Sequence, residues 1–340
     1  MAGMMDLKRT NTIVGNLRLD YFITTDGEAH AGLIGGPGIY AAVGARIWSN
    51  DVGLISRVGV GYPTEWLEKF ERHGIDVSLV KVLEDPIEMR HFFAYHERER
   101  VIQSNPATFF LQAGTTMPKE LVGYQTPQEK SSAMDSYSPL SVRPTDLPQP
   151  PAAITSAHIC PANYLTHSTL PLRLRELGVE VITLDPAGDY MHSAHRNDLP
   201  LLVNGLDAFL PNEREARAVF EPAAPELPEM AQAFCDMGCR YVVIKRGLRG
   251  QFVYDGTNQS GWEIPAYNSR VKDITGAGDA YCGGFNVGLE QTNDVLQAAL
   301  YGTISASLTV EGIGALFALG ALPGLAGARL EALRPLVKAI

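Results

Sequence analysis

Short, nearly continuous apolar runs recur along this chain at Thr12–Leu17, Val52–Val58, Ile154–Cys160, Val179–Asp185 and Tyr241–Lys245. Runs of that length bounded by turn residues read as strands buried on both faces. Between them the apolar spacing changes to a helical period, as in Thr64–His73 and Thr166–Leu177. Strands alternating with helices predict a parallel sheet with right-handed crossovers, its ligands beyond the carboxyl ends of the strands, where Asp185-Pro186 closes one run. A different pattern holds at Asp20–Thr24 and Ala29–Ile34, which flank Thr25-Asp26-Gly27, and at Glu88–His96 and Arg100–Gln103, which flank Glu97-Arg98-Glu99. These read as two hairpins forming a small second sheet. From 107 to 151 the periodicity fades, and Pro118–Pro151 holds seven prolines with many Ser, Thr and Gln, so a flexible surface loop is expected there. The competing reading folds it over the substrate cleft.

Composition narrows the function classes. The 340 residues, 45% hydrophobic and 19% charged, suit one large globular α/β domain over 1–340. A net charge of −10 argues against nucleic-acid binding but not against a nucleotide, which needs only a local anion site. The four cysteines are too few and scattered for a disulfide scaffold, and Cys235 and Cys239 lack a second pair at zinc spacing. His192 and His195 read as loop histidines. Met1–Asn11 lacks a signal-peptide core, and the apolar Gly312–Gly327 stretch is short and broken by glycines and Pro323, so it reads as buried helix and turn. The expectation is a cytoplasmic protein with no membrane partner.

The candidate chemistry centres on Asp273–Phe285. Gly276-Ala277-Gly278-Asp279 reads as a tight glycine turn entering a helix, whose first amides and dipole converge on one point. Glycine lets an anion approach the backbone, and phosphate is the natural occupant. A first-turn carboxylate at Asp279 is placed to accept a proton from a hydroxyl attacking phosphorus. Further upstream, Gly35-Gly36 precedes a small-residue helix, Ala41–Trp48, and Asp20 is a carboxylate able to accept two hydroxyl hydrogen bonds. Downstream, Asn212 and Glu215 have the spacing of a helix-capping pair, and Lys245 leads into the glycine turn Arg246–Gly250.

Asp273–Asp279 resembles the second signature of the ribokinase/PfkB family of sugar and nucleoside kinases, usually Asp-Thr-Thr-Gly-Ala-Gly-Asp, with Ile274 the only departure. Gly15 to Asp20 and Gly35-Gly36 resemble the first signature. The resemblance implies a ribokinase-like three-layer α/β/α domain with a mainly parallel central sheet and a small β-sheet lid near 18–34 and 88–104. It also implies roles: Asp279 as general base, Gly276, Ala277 and Gly278 as anion hole, and Asp20, Gly35, Gly36 and Tyr40 at the substrate. Asn212, Lys245, Gly247 and Gly250 would lie along the nucleotide, with Glu215 serving Mg²⁺ through water and the helices after Asn293 walling the adenine. Two departures stand out. Tyr40 replaces the family's usual substrate-contacting Asn, and Asp185-Pro186-Ala187 replaces Asp-Pro-Asn.

The expected activity is therefore ATP- and Mg²⁺-dependent phosphorylation of a hydroxyl on a small polyol, a sugar or sugar derivative. A nucleoside acceptor is the alternative within the family, and a non-catalytic binding or regulatory protein the alternative outside enzymes. A dinucleotide-dependent oxidoreductase ranks below both, because no Gly-x-Gly-x-x-Gly follows the first strand. A monovalent cation and a homodimer through the lid are further family features that the resemblance leaves open.

Overall fold

The computed structural model describes residues 10–97, 100–126, 134–148 and 154–340. Arg98 and Glu99 of the turn expected at Glu97–Glu99, and part of the proline-rich segment, therefore fall outside the described residues.

The strands in chain order are β1 (Thr10–Val14), β2 (Arg18–Ile23), β3 (Ala29–Gly35), β4 (Val52–Gly59), β5 (Ile75–Leu83), β6 (Arg90–Glu97) and β7 (Arg100–Ile102). Then follow β8 (Ile154–Ile159), β9 (Val181–Leu184), β10 (Ala208–Phe209), β11 (Tyr241–Lys245), β12 (Gln251–Asp255), β13 (Ser260–Ile264) and β14 (Lys338–Ala339). Among the described residues the large sheet has the order β14-β13-β12-β11-β10-β9-β8-β1-β4-β5. Pairing is parallel from β11 through β5 and antiparallel from β11 out to β14. Strand order reverses direction between β1 and β8, which opens a crevice at their carboxyl ends.

Helices cover both faces. One side buries Pro37–Arg46, Ala277–Thr292 and Val295–Thr309, and the other Tyr164–Glu176, Glu213–Phe220 and Leu227–Asp236. The small-residue helix begins at Pro37 rather than Ala41, with proline in its first turn and Gly36 as N-cap at φ 97°. Its small residues let it nearly touch the helix after the glycine turn. A Cβ on Gly44 would lie 2.0 Å from the Ala280 carbonyl oxygen, and one on Gly283 would lie 1.8 Å from that of Ala41. That contact fixes where Gly276–Asp279 points.

β5 was not expected from the sequence. As the edge strand it alternates buried and exposed positions at Ile75–Ser78, so it lacks the continuous apolar signature of its neighbours. The Gly312–Gly327 stretch is less buried than expected, with Leu322 75% exposed. The helix carrying Cys235 ends at Asp236, so Cys239 lies beyond it, and all four cysteines are free thiols. Among the described residues, no helix is long and apolar enough to cross a membrane.

The lid is a second sheet, ordered β3-β2-β6-β7, in which β2 and β6 run parallel. Its two faces differ, as the two-residue period of a strand requires. Asp20 pairs with His91 and Phe22 with Phe93 on the face toward the large sheet. Tyr21, Ile23, Phe92 and Ala94 form the back, packed on Phe110 and Leu121. Those two cover residues come from the 107–151 excursion. It is not a bare loop, since it supplies the helix Pro106–Gln112, a helical turn Lys119–Leu121, and Val142 and Leu147 to the core of the main domain.

Candidate active site

The crevice opens into a cavity of about 940 Å³ at the carboxyl ends of the parallel strands. Its floor is the start of the helix Ala277–Thr292. Gly276 caps that helix at φ 72°, a conformation glycine adopts without strain, and Ala277, Gly278 and Asp279 line the cavity. The Ala277 amide donates to the Ile274 carbonyl oxygen at 3.2 Å, whereas the helix provides no acceptor for the amides of Gly278 and Asp279, which remain available to an anion. Lys245 stands beside them: a Cβ on Gly278 would lie 3.8 Å from the Lys245 ammonium.

Lys245 ends β11 and donates to the Asp185 carboxylate at the end of β9, with Cys282 Sγ 3.5 Å from its Nζ. Burial works against the ammonium charge, but Asp185 and neighbouring groups outweigh it and raise the Lys245 pKa. Asp279 responds to the same surroundings. Burial, and after it the Asp185 charge, push its carboxyl up to about 7, while Lys245 and Arg18 pull the other way. A carboxyl poised near neutrality can take a proton from a hydroxyl at physiological pH.

Glu215 also lines the cavity. It forms a capping box with Asn212: the Asn212 amide donates to Glu215 Oε2 and the Glu215 amide to Asn212 Oδ1, both at 2.9 Å. Burial and then Asp185 raise its pKa to about 7. With one oxygen committed to Asn212, Glu215 offers a single free oxygen. That suits a hydrated Mg²⁺ held mainly by phosphate oxygens, whereas a metal stripped of water would need more ligands. Among the described residues, no group of three or more His, Cys, Asp and Glu is placed to cage a metal, and the His192 and His195 rings lie against each other at a tilt of 55°. Gly247 and Gly250 line the cavity after Lys245, and Thr303, Ala306 and Ser307 of Val295–Thr309 wall it opposite. Arg246 does not face the cavity chemistry; it is held by Glu263 at 2.9 Å and Glu213 at 3.6 Å.

The residues expected at the acceptor are placed less directly. Asp20 is 3% exposed and stands behind the cavity wall, its carboxylate so close to Gly35 that a Cβ there would lie 1.9 Å away. His91 Nδ1 approaches Asp20 Oδ1 at 3.6 Å, and that oxygen has no hydrogen-bond partner among the described residues. Such an orphaned buried acceptor suits a donated hydroxyl. Gly35, Gly36, Tyr40 and Gly276 likewise do not line the cavity. Tyr40 is buried, and a Cβ on Gly276 would lie 2.0 Å from its ring. It therefore supports the glycine turn from behind. Burial, then Asp20 and Asp273, keep its phenol neutral.

Sequence reasoning missed several cavity residues. Asn16 and Arg18 lie inside the first-signature segment, Thr24, Thr25 and Tyr95 on the lid, Asn163 after β8, and Ser138 and Ser141 on the excursion. The excursion thus meets the cleft, with Ser141 Oγ donating to Asn163 Oδ1 at 3.0 Å. For Arg18 a signal existed, because it precedes Asp20 by two residues and so shares its face of β2. The lid is also clasped to the glycine-turn segment. Tyr95 Oη and Thr275 Oγ1 are 2.9 Å apart, and Lys272 reaches Glu28 at 2.6 Å.

Fold and cavity together define a ribokinase-like α/β protein, with a glycine-capped helix start below a β-sheet lid. Solved structures agree on the fold: an E. coli ribokinase II determined with ATP and Mg²⁺ superposes with a TM-score of 0.66 at 18% identity, over 96% of this chain and 99% of that one. By sequence, residues 172–320 match the model of the pfkB family carbohydrate kinases. The chain is 27% identical over 288 residues to a cytidine kinase of Thermococcus kodakarensis, covering 84% of this chain and 88% of that protein. It is 24% identical over 321 residues to a ribokinase of Staphylococcus aureus, covering 89% and 94%. The family match over 172–320 and these two relatives support a pfkB-type carbohydrate or nucleoside kinase.

Proposed function

We propose that this kinase transfers the γ-phosphoryl group of ATP to a hydroxyl of a small sugar or sugar derivative. The observation that carries the reading is the pairing of a cavity-facing Asp279, its carboxyl held near neutrality, with the glycine turn of a helix start. In the reaction the acceptor O–H gives its proton to Asp279 and its oxygen forms a bond to the γ-phosphorus. The bond from phosphorus to the β–γ bridging oxygen breaks, and ADP leaves with that electron pair. The amides of Gly278 and Asp279, with Lys245 beside them, stabilise charge on the transferring group, and Ala277 completes the turn that presents them. Asn212, Gly247 and Gly250 would follow the nucleotide. Glu215 would hold Mg²⁺ through water, and the ion would neutralise phosphate charge. Asp20 would accept a hydrogen bond from an acceptor hydroxyl through its unpartnered oxygen, and closure of the lid would exclude water.

A nucleoside acceptor is the second reading, favoured by the similarity to a cytidine kinase. The four free thiols suit a reducing compartment, and we place the reaction in the cytoplasm. A homodimer through the lid would have to use a surface other than its back, which Phe110 and Leu121 occupy. The test is ADP formation from Mg²⁺-ATP across sugars, sugar acids and nucleosides, with Asp279→Asn beside the wild type. Acceptor-dependent turnover lost in the variant supports the reading; undiminished turnover in Asp279→Asn removes the assigned base.

A further inference from the structure

Three cationic side chains line the cavity among the described residues: Lys245, Lys272 and Arg18. Two are already neutralised, Lys245 by Asp185 and Lys272 by Glu28. Arg18 differs, since its guanidinium makes no hydrogen bond or ion pair among the described residues. It sits opposite Gly35 on β2, half-buried and two residues from Asp20, at the end of the cavity built by the lid. Its neighbours in that wall, Asn16, Thr24, Thr25 and Tyr95, come from the β1 end and the lid, whereas the expected nucleotide contacts lie beyond β10 and β11.

An arginine cannot lose its proton to escape a low-dielectric site, and its planar fork of donors matches a carboxylate or phosphate. When an acceptor fills the cavity and displaces water, an unpaired guanidinium is costly unless the occupant carries an anion. A purely neutral polyol would leave the guanidinium with no directly bonded anion, offset only at longer range by the Asp279 carboxyl. The charge also reaches the reacting group, since Arg18 opposes the upward shift of the Asp279 carboxyl.

We propose that Arg18 is a specificity-determining residue that binds an oxyanion on the acceptor, so that the substrate is an acidic sugar carrying a carboxylate or phosphate besides the hydroxyl that is phosphorylated. This rests on the kinase reading of the same cavity and narrows its substrate class.

The test is calorimetric titration with a non-hydrolysable ATP analogue and Mg²⁺ saturating the nucleotide end, so that added anions cannot simply occupy the helix start. D-gluconate is compared with D-glucose, and D-ribose 5-phosphate with D-ribose, for wild type, Arg18→Gln and Arg18→Lys. In the wild type at least one acid should bind about tenfold or more tightly than its neutral counterpart. The arm that shows the preference tells carboxylate from phosphate. Arg18→Gln should erase the preference while leaving analogue affinity and Tm unchanged, and Arg18→Lys should restore part of it. Equal binding of acid and neutral forms, no binding of either class, or a preference that survives Arg18→Gln overturns the proposal. So does an Arg18→Gln variant that loses kcat equally on every acceptor at constant KM, which would put the guanidinium on the transferring phosphoryl group. Failure of the ATP analogue to bind is a separate result, which removes the kinase reading and the proposal with it.

Discussion

The two ends of the cavity are built by different means. The end proposed for the nucleotide uses short contiguous segments, Asn212–Glu215, Lys245–Gly250 and Gly276–Asp279, each a turn or helix start at the end of a β-strand or its connection. Local conformation creates the binding groups there: a capping box, a positive-φ glycine, the open amides of a first turn. The acceptor end is assembled from Asn16 and Arg18, the lid at Thr24, Thr25 and Tyr95, the excursion at Ser138 and Ser141, and Asn163. None of these groups makes a site until distant parts of the chain are packed together. On the proposed reading, phosphate recognition is thus local and acceptor recognition long-range.

Asp279 stands where the two ends meet, and its replacement should have the largest effect. Asp279→Asn is expected to lower kcat by about 10²–10⁴-fold, the contribution of a positioned general base, with ATP-analogue affinity retained. The pH dependence has a defined sign. The base works when deprotonated, so wild-type kcat/KM should rise with pH through about 7 and level off above it. Stability runs the other way. A carboxyl with a folded pKa raised to about 7 binds more protons folded than unfolded between the two pKa values, so its contribution is present at low pH and lost as pH rises through about 7. Asp279→Asn should therefore raise Tm relative to wild type at pH 8 and leave it unchanged at pH 4. A flat kcat/KM profile across pH 6–8 would place the base elsewhere.

The link between the ends runs through Tyr40, which departs from the usual asparagine yet packs under Gly276. Tyr40→Asn restores the family residue but leaves a hole below the anion hole. It should cost about 2–4 kcal/mol in urea unfolding, as for other large-to-small core changes. Gly276→Ala should also be strongly destabilising, because its Cβ would meet the Tyr40 ring at 2.0 Å and its φ is 72°. Combined, the two should fall short of additivity by about 0.5–3 kcal/mol, since removing the ring relieves the clash but not the backbone strain. Full additivity would mean that Tyr40 does not support the turn.

The same division explains what the sequence disclosed. The buried parallel strands were legible because both faces are covered, which leaves continuous apolar runs. The edge strand Ile75–Leu83 was not, because half of its face meets solvent. Asp279 and the capping pair Asn212–Glu215 were legible as local motifs. Asp185 was visible as a strand end, but its partnership with Lys245 joins positions sixty residues apart. Tyr40 was noticed as a departure, yet its place behind the turn depends on how closely two glycine-bearing helices approach. The excursion gave the weakest signal. Its prolines suppress any period, and its apolar anchors Phe110, Leu121, Val142 and Leu147 are too sparse to mark an element.

The smallest expected effect lies on the lid clasp, where Tyr95 meets Thr275 beside the Lys272–Glu28 ion pair. Tyr95→Phe removes the hydroxyl that meets Thr275 Oγ1 at 2.9 Å and leaves the ring on Phe93 in place. A neutral hydrogen bond of this kind contributes about 0.5–1.5 kcal/mol net, and Thr275 keeps its bond to Asp273 Oδ1 at 2.7 Å, so the fold should lose no more than that. The kinetic effect should be uneven. Holding the lid down favours the bound acceptor, whereas the reacting groups Asp279 and the helix amides lie on the main domain. Acceptor KM should therefore rise by about two- to tenfold, the same free energy expressed in binding, with kcat close to wild type. A fall in kcat at constant KM would mean instead that Tyr95 acts through Thr275 on the geometry of the anion hole, and the two ends of the cavity would then be coupled more tightly than their separate construction implies.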